Sequence, residues 1–257
     1  MLDLSSILER MPVVLLLLGR FSGFFATAPV FSGRYIPAQV RAALVLYLSV
    51  ALSPLVPAPA FASVPKASWM MLTEVLLGAT TGYALSLIFL AVQVAGQVAD
   101  MEMGFGMTNV LDPVYGVPIP LMGSFEYLLS LLLFLGMDGH HFLFTAIVRS
   151  FDSVPAGRAV PDPGVASGIV SRMAEAFRLG VELSMPVLVS MFITTCAMGL
   201  VARTVPQINV FMMGLPVRIV LGGAIVAMSL PAFANLATGA FRQSFGWTRW
   251  LFEVFSP

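Results

Sequence analysis

The chain has 257 residues, 58% hydrophobic and only 10% charged, with a mean hydropathy of +0.94. Soluble domains carry about a quarter charged residues, so this balance excludes an ordinary water-soluble fold and predicts an all-α integral membrane protein. Basic and acidic side chains cancel, thirteen against thirteen, which removes the electrostatic footprint of a nucleic-acid binder.

The length allows about six spans of roughly 20 residues. Asp3 and Glu9 precede the first apolar core, which does not read as a signal peptide. The first apolar run, Met11 to Phe31, has Pro12 near its start and Arg20 inside it. An arginine at mid-bilayer costs at least about 2.5 kcal/mol, so Arg20 is expected to face protein, water or a headgroup. Turn chemistry follows at Pro29, Gly33 and Pro37. The second run, Val40 to Val56, is barely one span long. The third, Trp69 to Ala99, carries Glu74, spans roughly 31 residues and measures about 46 Å as a helix, more than the hydrocarbon thickness. Gln93, Gln97 and Asp100 give its last turns a polar edge.

Next comes the stretch Asp100 to Gly123, DMEMGFGMTNVLDPVYGVPIPLMG. Pro113, Pro118 and Pro120 exclude a regular helix, and Gly104 and Gly106 permit unusual backbone angles. Phe105, Leu111 and Ile119 are too apolar for a solvated linker. Irregular backbone at membrane depth must lie against protein or line a cavity. The expectation is a plug or gate, with Met103, Phe105, Gly106, Met107, Asp112, Pro113, Pro118, Pro120 and Met122 as its candidate residues. Plain core filling by adaptable methionines is the competing reading.

The fourth run, Phe125 to Val148, holds Asp138, His140 and His141. Adjacent histidines point to different helix faces, and no third histidine exists in the chain. A hydrogen-bonded helix end is therefore preferred over a metal site. After a Pro- and Gly-punctuated stretch, an apolar segment runs from Val181 to Val201, where Pro186 is expected to introduce a kink. Cys196 reads as a small buried hydrophobe. Arg203, Pro206, Gln207, Asn209, Pro216 and Arg218 form either ordinary loop polars or a hairpin tip facing a pore or partner. The aromatic tail from Arg242 to Pro257 suits a membrane interface. Basic residues do not settle the orientation. Neither a hydrolase elbow nor a phosphate-cradling loop is present, so the chain is read as non-enzymatic and without a cofactor.

Several blocks carry a resemblance. Gly19 to Phe31 (GRFSGFFATAPVF), Ile36 to Arg41, Gly106-Met107 with Asp112-Pro113, Leu135 to His141 (LGMDGHH) and Arg203 to Arg218 (RTVPQINVFMMGLPVR) resemble the R-type flagellar biosynthesis proteins, in order across nearly the whole chain. The resemblance implies a subunit of the flagellar type III export gate, in the bacterial inner membrane at the flagellar basal body. Its implied partners are P-type and Q-type gate subunits, the B-type switch protein, the A-type export protein and the exported flagellar polypeptides. It also implies long broken helices and helical hairpins around a central plug loop. Residues 1–123 would form a P-type-like front part, and 124–257 a back part with a Q-type-like hairpin near 181–240. Arg20, Glu74 and Asp100 are candidate buried or inter-subunit charges, because partner subunits would replace lipid around them. The equivalent virulence-system subunit is the nearest alternative. A secondary transporter and an intramembrane enzyme using Asp138 are more distant ones.

Overall fold

Apolar residues that recur at every angle around a helix leave the chain no reason to form strands, and none occurs among the described residues. The computed structural model describes residues 10–32, 36–57, 64–107, 120–160, 162–205, 207 and 209–256. In order these give α1 (Met11–Thr27), the short α2 (Pro29–Ser32), α3 (Ala38–Leu52) and α4 (Val64–Met103). A 3-10 turn at Phe105–Met107 follows, then α5 (Leu121–Gly136), α6 (Gly139–Ser153), α7 (Gly164–Thr204) and α8 (Val210–Val254).

The helix ends have local causes. Pro29 pushes Ala28 to extended backbone, with ψ 123, and α1 stops there. Asp138 adopts a left-handed conformation, with φ 56, which an Asp tolerates better than most residues. That residue separates α5 from α6.

Among the described residues three helices are long and apolar enough to cross a membrane, or four if α5 and α6 count as one span. The length allows about six, and α1 and α3 are apolar but shorter. Helix α3 has only 15 residues, about 22 Å against a core of about 30 Å, while the rear apolar runs fuse with their polar flanks into α7 and α8. Pro186 and Pro216 both lie inside continuous helices. In apolar surroundings, losing one backbone hydrogen bond costs less than exposing a whole unwound turn. Cys196, expected to be buried, is exposed.

The chain divides into two packed units. The first joins Met1–Leu87, Met137–Met173 and Phe241–Pro257. Here α1 lies so close to α4 that a Cβ on Gly78 would collide with the Arg20 carbonyl, and Thr27 Oγ1 donates to the Ala79 carbonyl at 2.9 Å. Small residues at a crossing let helix backbones approach in this way. Leu77, Val154, Trp247, Leu251 and Phe255 form one apolar core of this unit. Of the aromatic tail expected at a membrane interface, Trp247, Phe252 and Phe255 are buried against this core, and α8 runs unbroken through Val254.

The second unit joins Ile88–Gly136 and Ala174–Ala240. Within it α7 and α8 run antiparallel: Arg218 bonds to Thr195, and Val226 packs with Val187 and Met191. Only 17% of the apolar window of each helix is buried, against 61% for α4. Helix α4 is a core element, whereas α7 and α8 keep wide apolar flanks for lipid or for other protein.

Candidate functional site

Charges in a chain this apolar mark the places where geometry has been specified, and the two units each hold one such cluster. In the first unit Arg20 is fully buried. Its Nε and Nη2 donate to the two carboxylate oxygens of Glu74 at 2.5 and 3.0 Å, a bidentate pairing. Nη1 donates to Ser150 Oγ at 2.8 Å, Nη2 also to the Val154 carbonyl at 2.9 Å, and the guanidinium lies 3.9 Å from the Phe151 ring centroid. Glu74 in turn accepts from the Gly157 amide at 2.8 Å. The acid that meets Arg20 belongs to the same chain. The cluster ties α1, α4 and the end of α6 together.

In the second unit the charges sit where the central segment leaves α4 and returns to α5. Asp100 is buried, and its two carboxylate oxygens accept from the amides of Met122 and Gly123 at 2.9 and 3.1 Å. These are unpaired donors of the first turn of α5, so the carboxylate caps that helix and complements its dipole. The approach is possible because Gly96 faces Gly123, where any Cβ would strike backbone. At the other end Gly104, with φ 89, terminates α4. Arg218 Nη1 reaches the Glu102 carbonyl at 3.4 Å, and its Nη2 donates to Thr195 Oγ1 at 2.9 Å. A cation at a helix C-terminus is the matching electrostatic arrangement. Both ends pack on one apolar cluster: Met103 is buried with Ala99, Val187, Met191 and Val226, and Phe105 and Met122 rest against it.

The candidate residues thus fall into three groups. Met103, Phe105, Pro120 and Met122 stand at the two ends of the segment, with Gly106 in open space and Met107 closing the 3-10 turn. Asp112, Pro113, Pro118 and Pro206 lie outside the described residues. Arg203, Gln207 and Asn209 are exposed around the α7–α8 turn, and Asn209 Oδ1 accepts from the Met212 amide. Pro216 is exposed within α8, while Arg218 lies two turns into that helix and belongs with the α4 terminus. Sequence reasoning missed Thr195 and Gly222, against which Met103 packs. It also missed buried Glu126, whose Oε2, like the Ser130 hydroxyl one turn on, lacks a hydrogen-bond partner among the described residues. The signal for Glu126 was available, as the only acid in an otherwise apolar helix.

Long apolar helices closed around a buried ion pair and capped chain breaks define an all-α membrane protein. The chain belongs to the bacterial export proteins, family 1, whose family model matches residues 11–244. It is similar to the flagellar biosynthetic protein FliR of Bacillus subtilis, 36% identical over 221 residues, which cover 84% of this chain and 85% of that protein. It is also similar to the FliR proteins of Caulobacter vibrioides, 30% identical over 90% of this chain and 93% of that one, and of Escherichia coli, 27% identical over 88% and 87%.

Proposed function

We propose that the chain is a subunit of the flagellar type III protein export gate, set in the bacterial inner membrane at the flagellar basal body, and that the segment between α4 and α5 plugs the gate's conduit. The single observation that carries the plug reading is the shared anchorage of the segment's ends. Met103, Phe105 and Met122 meet on one cluster, with Asp100 capping the return and Arg218 the exit. Such fixed ends suit an insert that must hold a place without being a helix.

On this reading P-type and Q-type subunits cover the apolar flanks of α7 and α8, only 17% buried in their apolar windows. The front part, 1–123, is P-type-like and the hairpin near 181–240 Q-type-like. The B-type switch protein and the A-type export protein are further partners, and the cargo is exported flagellar polypeptide. The subunit is a wall and a stopper, with energy supplied from outside the chain.

The test is deletion of Gly106 to Pro120 in a gate that still assembles. Conductance of ions and small molecules should rise. Unchanged conductance in the assembled deletion complex overturns the plug.

A further inference from the structure

The second unit buries three polar side chains in a row. Asp100 reaches the first turn of α5, where it caps the Met122 and Gly123 amides. Glu126 follows one turn along α5 and Ser130 one turn beyond it, and the three residues are 5%, 7% and 0% exposed. Side chains on a helix lean toward its N-terminus, so Glu126 leans toward the capped turn and Ser130 toward Glu126.

Only the first of the three is satisfied. Each Asp100 oxygen accepts one amide, and a carboxylate offers about four lone-pair sites, so acceptor capacity remains. Glu126 Oε2 and the Ser130 hydroxyl have no hydrogen-bond partner among the described residues. Other buried serines behave differently: Ser150, Ser184 and Ser244 each donate to a carbonyl of their own helix three residues back.

The neighbouring cations are engaged elsewhere. On α8, Arg218 bonds to the Glu102 carbonyl and to Thr195, and on α7 Arg178 pairs with Glu182 at the exposed surface. On α5 itself Tyr127 packs its ring against Phe89 at 5.5 Å. From α4 the group that acts on Glu126 is Asp100, a second acid. Two neighbouring buried carboxylates with no cation between them repel each other when both are charged. A proton on Glu126 removes that repulsion and supplies a donor for the free lone pairs of Asp100.

We propose that Glu126 is a protonation switch on the Asp100 cap. Protonated, it donates its O–H to Asp100 and holds the return of the central segment on α5. When the proton passes to water, the carboxylate turns to the Ser130 hydroxyl, its free donor. Asp100 then faces a like charge, the cap loosens and the segment's return is released. What that release opens rests on the plug reading above; the switch itself does not.

The test uses the full chain, purified in mild detergent with whatever subunits accompany it. Infrared spectra across a pH series should show the C=O band of a protonated carboxyl at acidic pH, lost as pH rises and missing from Glu126→Gln. Over the same series the exchange protection of the Met122 and Gly123 amides, corrected for intrinsic rate, should fall about fivefold, the effect of one lost helix cap. In Glu126→Gln it should stay constant. Ser130→Ala should move the fall to higher pH, because the ionised form loses its donor. A missing band, protection independent of pH in the wild type, a fall that survives Glu126→Gln, or no upward shift in Ser130→Ala would each overturn the proposal. Release of the cap without a rise in ion conductance would leave the switch standing and count against the plug.

Discussion

Removing the Glu74 carboxylate is the sharpest single perturbation of the first unit. In Glu74→Ala, Arg20 keeps Ser150, the Val154 carbonyl and the Phe151 ring, but its charge is left unbalanced in a site with no solvent access. Breaking one side of a buried pair costs about 3–5 kcal/mol. The Gly157 amide loses its acceptor as well, which adds about 1–3 kcal/mol if no water replaces it. Domain stabilities run about 5–15 kcal/mol, so the variant should be barely folded. Removing both charges, in Arg20→Met with Glu74→Leu, should recover most of this loss. The buried charge is then gone, and the Gly157 amide remains as the main unmet group. The assay is denaturant unfolding in detergent, followed by tryptophan fluorescence, on wild type, both single variants and the double. If the double variant is no more stable than Glu74→Ala, the two charges do not act as a pair and the reasoning fails.

Further predictions follow from the remaining contacts. Asp100→Ala should cost about 0.5–2 kcal/mol through the lost cap and deprotect the Met122 and Gly123 amides in hydrogen exchange; unchanged protection there would contradict the capping role. Gly96→Ala should destabilise the second unit by at least about 1–3 kcal/mol, because the added Cβ meets the backbone of Gly123 rather than a side chain that can yield; a neutral melting temperature would refute that contact. Gly222→Val should displace Met103, whose Cγ would lie 2.5 Å from the new Cβ, and a cysteine probe at position 103 should become reactive in that background if the packing is as described. Brominated lipid should quench exposed Trp69 and spare buried Trp247, each measured as the sole tryptophan; the reverse order would return the tail to the membrane interface.

The membrane class was readable because composition alone decides it, and α4 was readable as an over-long helix, although its 40 residues extend past both ends of the apolar run from Trp69 to Ala99. Span number was not readable. Whether Pro186 and Pro216 end a helix depends on what surrounds the backbone, and a one-dimensional pattern does not record that. The same limit applies to the tail. Trp247 and Phe255 have the residue types of an interface, but the unbroken length of α8 decides that they turn inward. Arg20 was visible as a charge needing a partner, while its partner, 54 residues away, follows only from the close crossing of α1 and α4. Around the central segment, proline and glycine punctuation located the irregular stretch. Asp100 and Arg218 were visible as candidate charges, but not as anchors of this segment, because the groups they hold there are backbone amides and a carbonyl, which leave no side-chain pattern to match.

Imaging the intact export complex, purified with its partner subunits in the closed state, tests the central claim most directly. The account predicts density for residues 106–120 inside the conduit, enclosed by protein on all sides and continuous with the anchors at Asp100 and Arg218. Density for the same residues turned toward lipid, with an open conduit beside them, would contradict it.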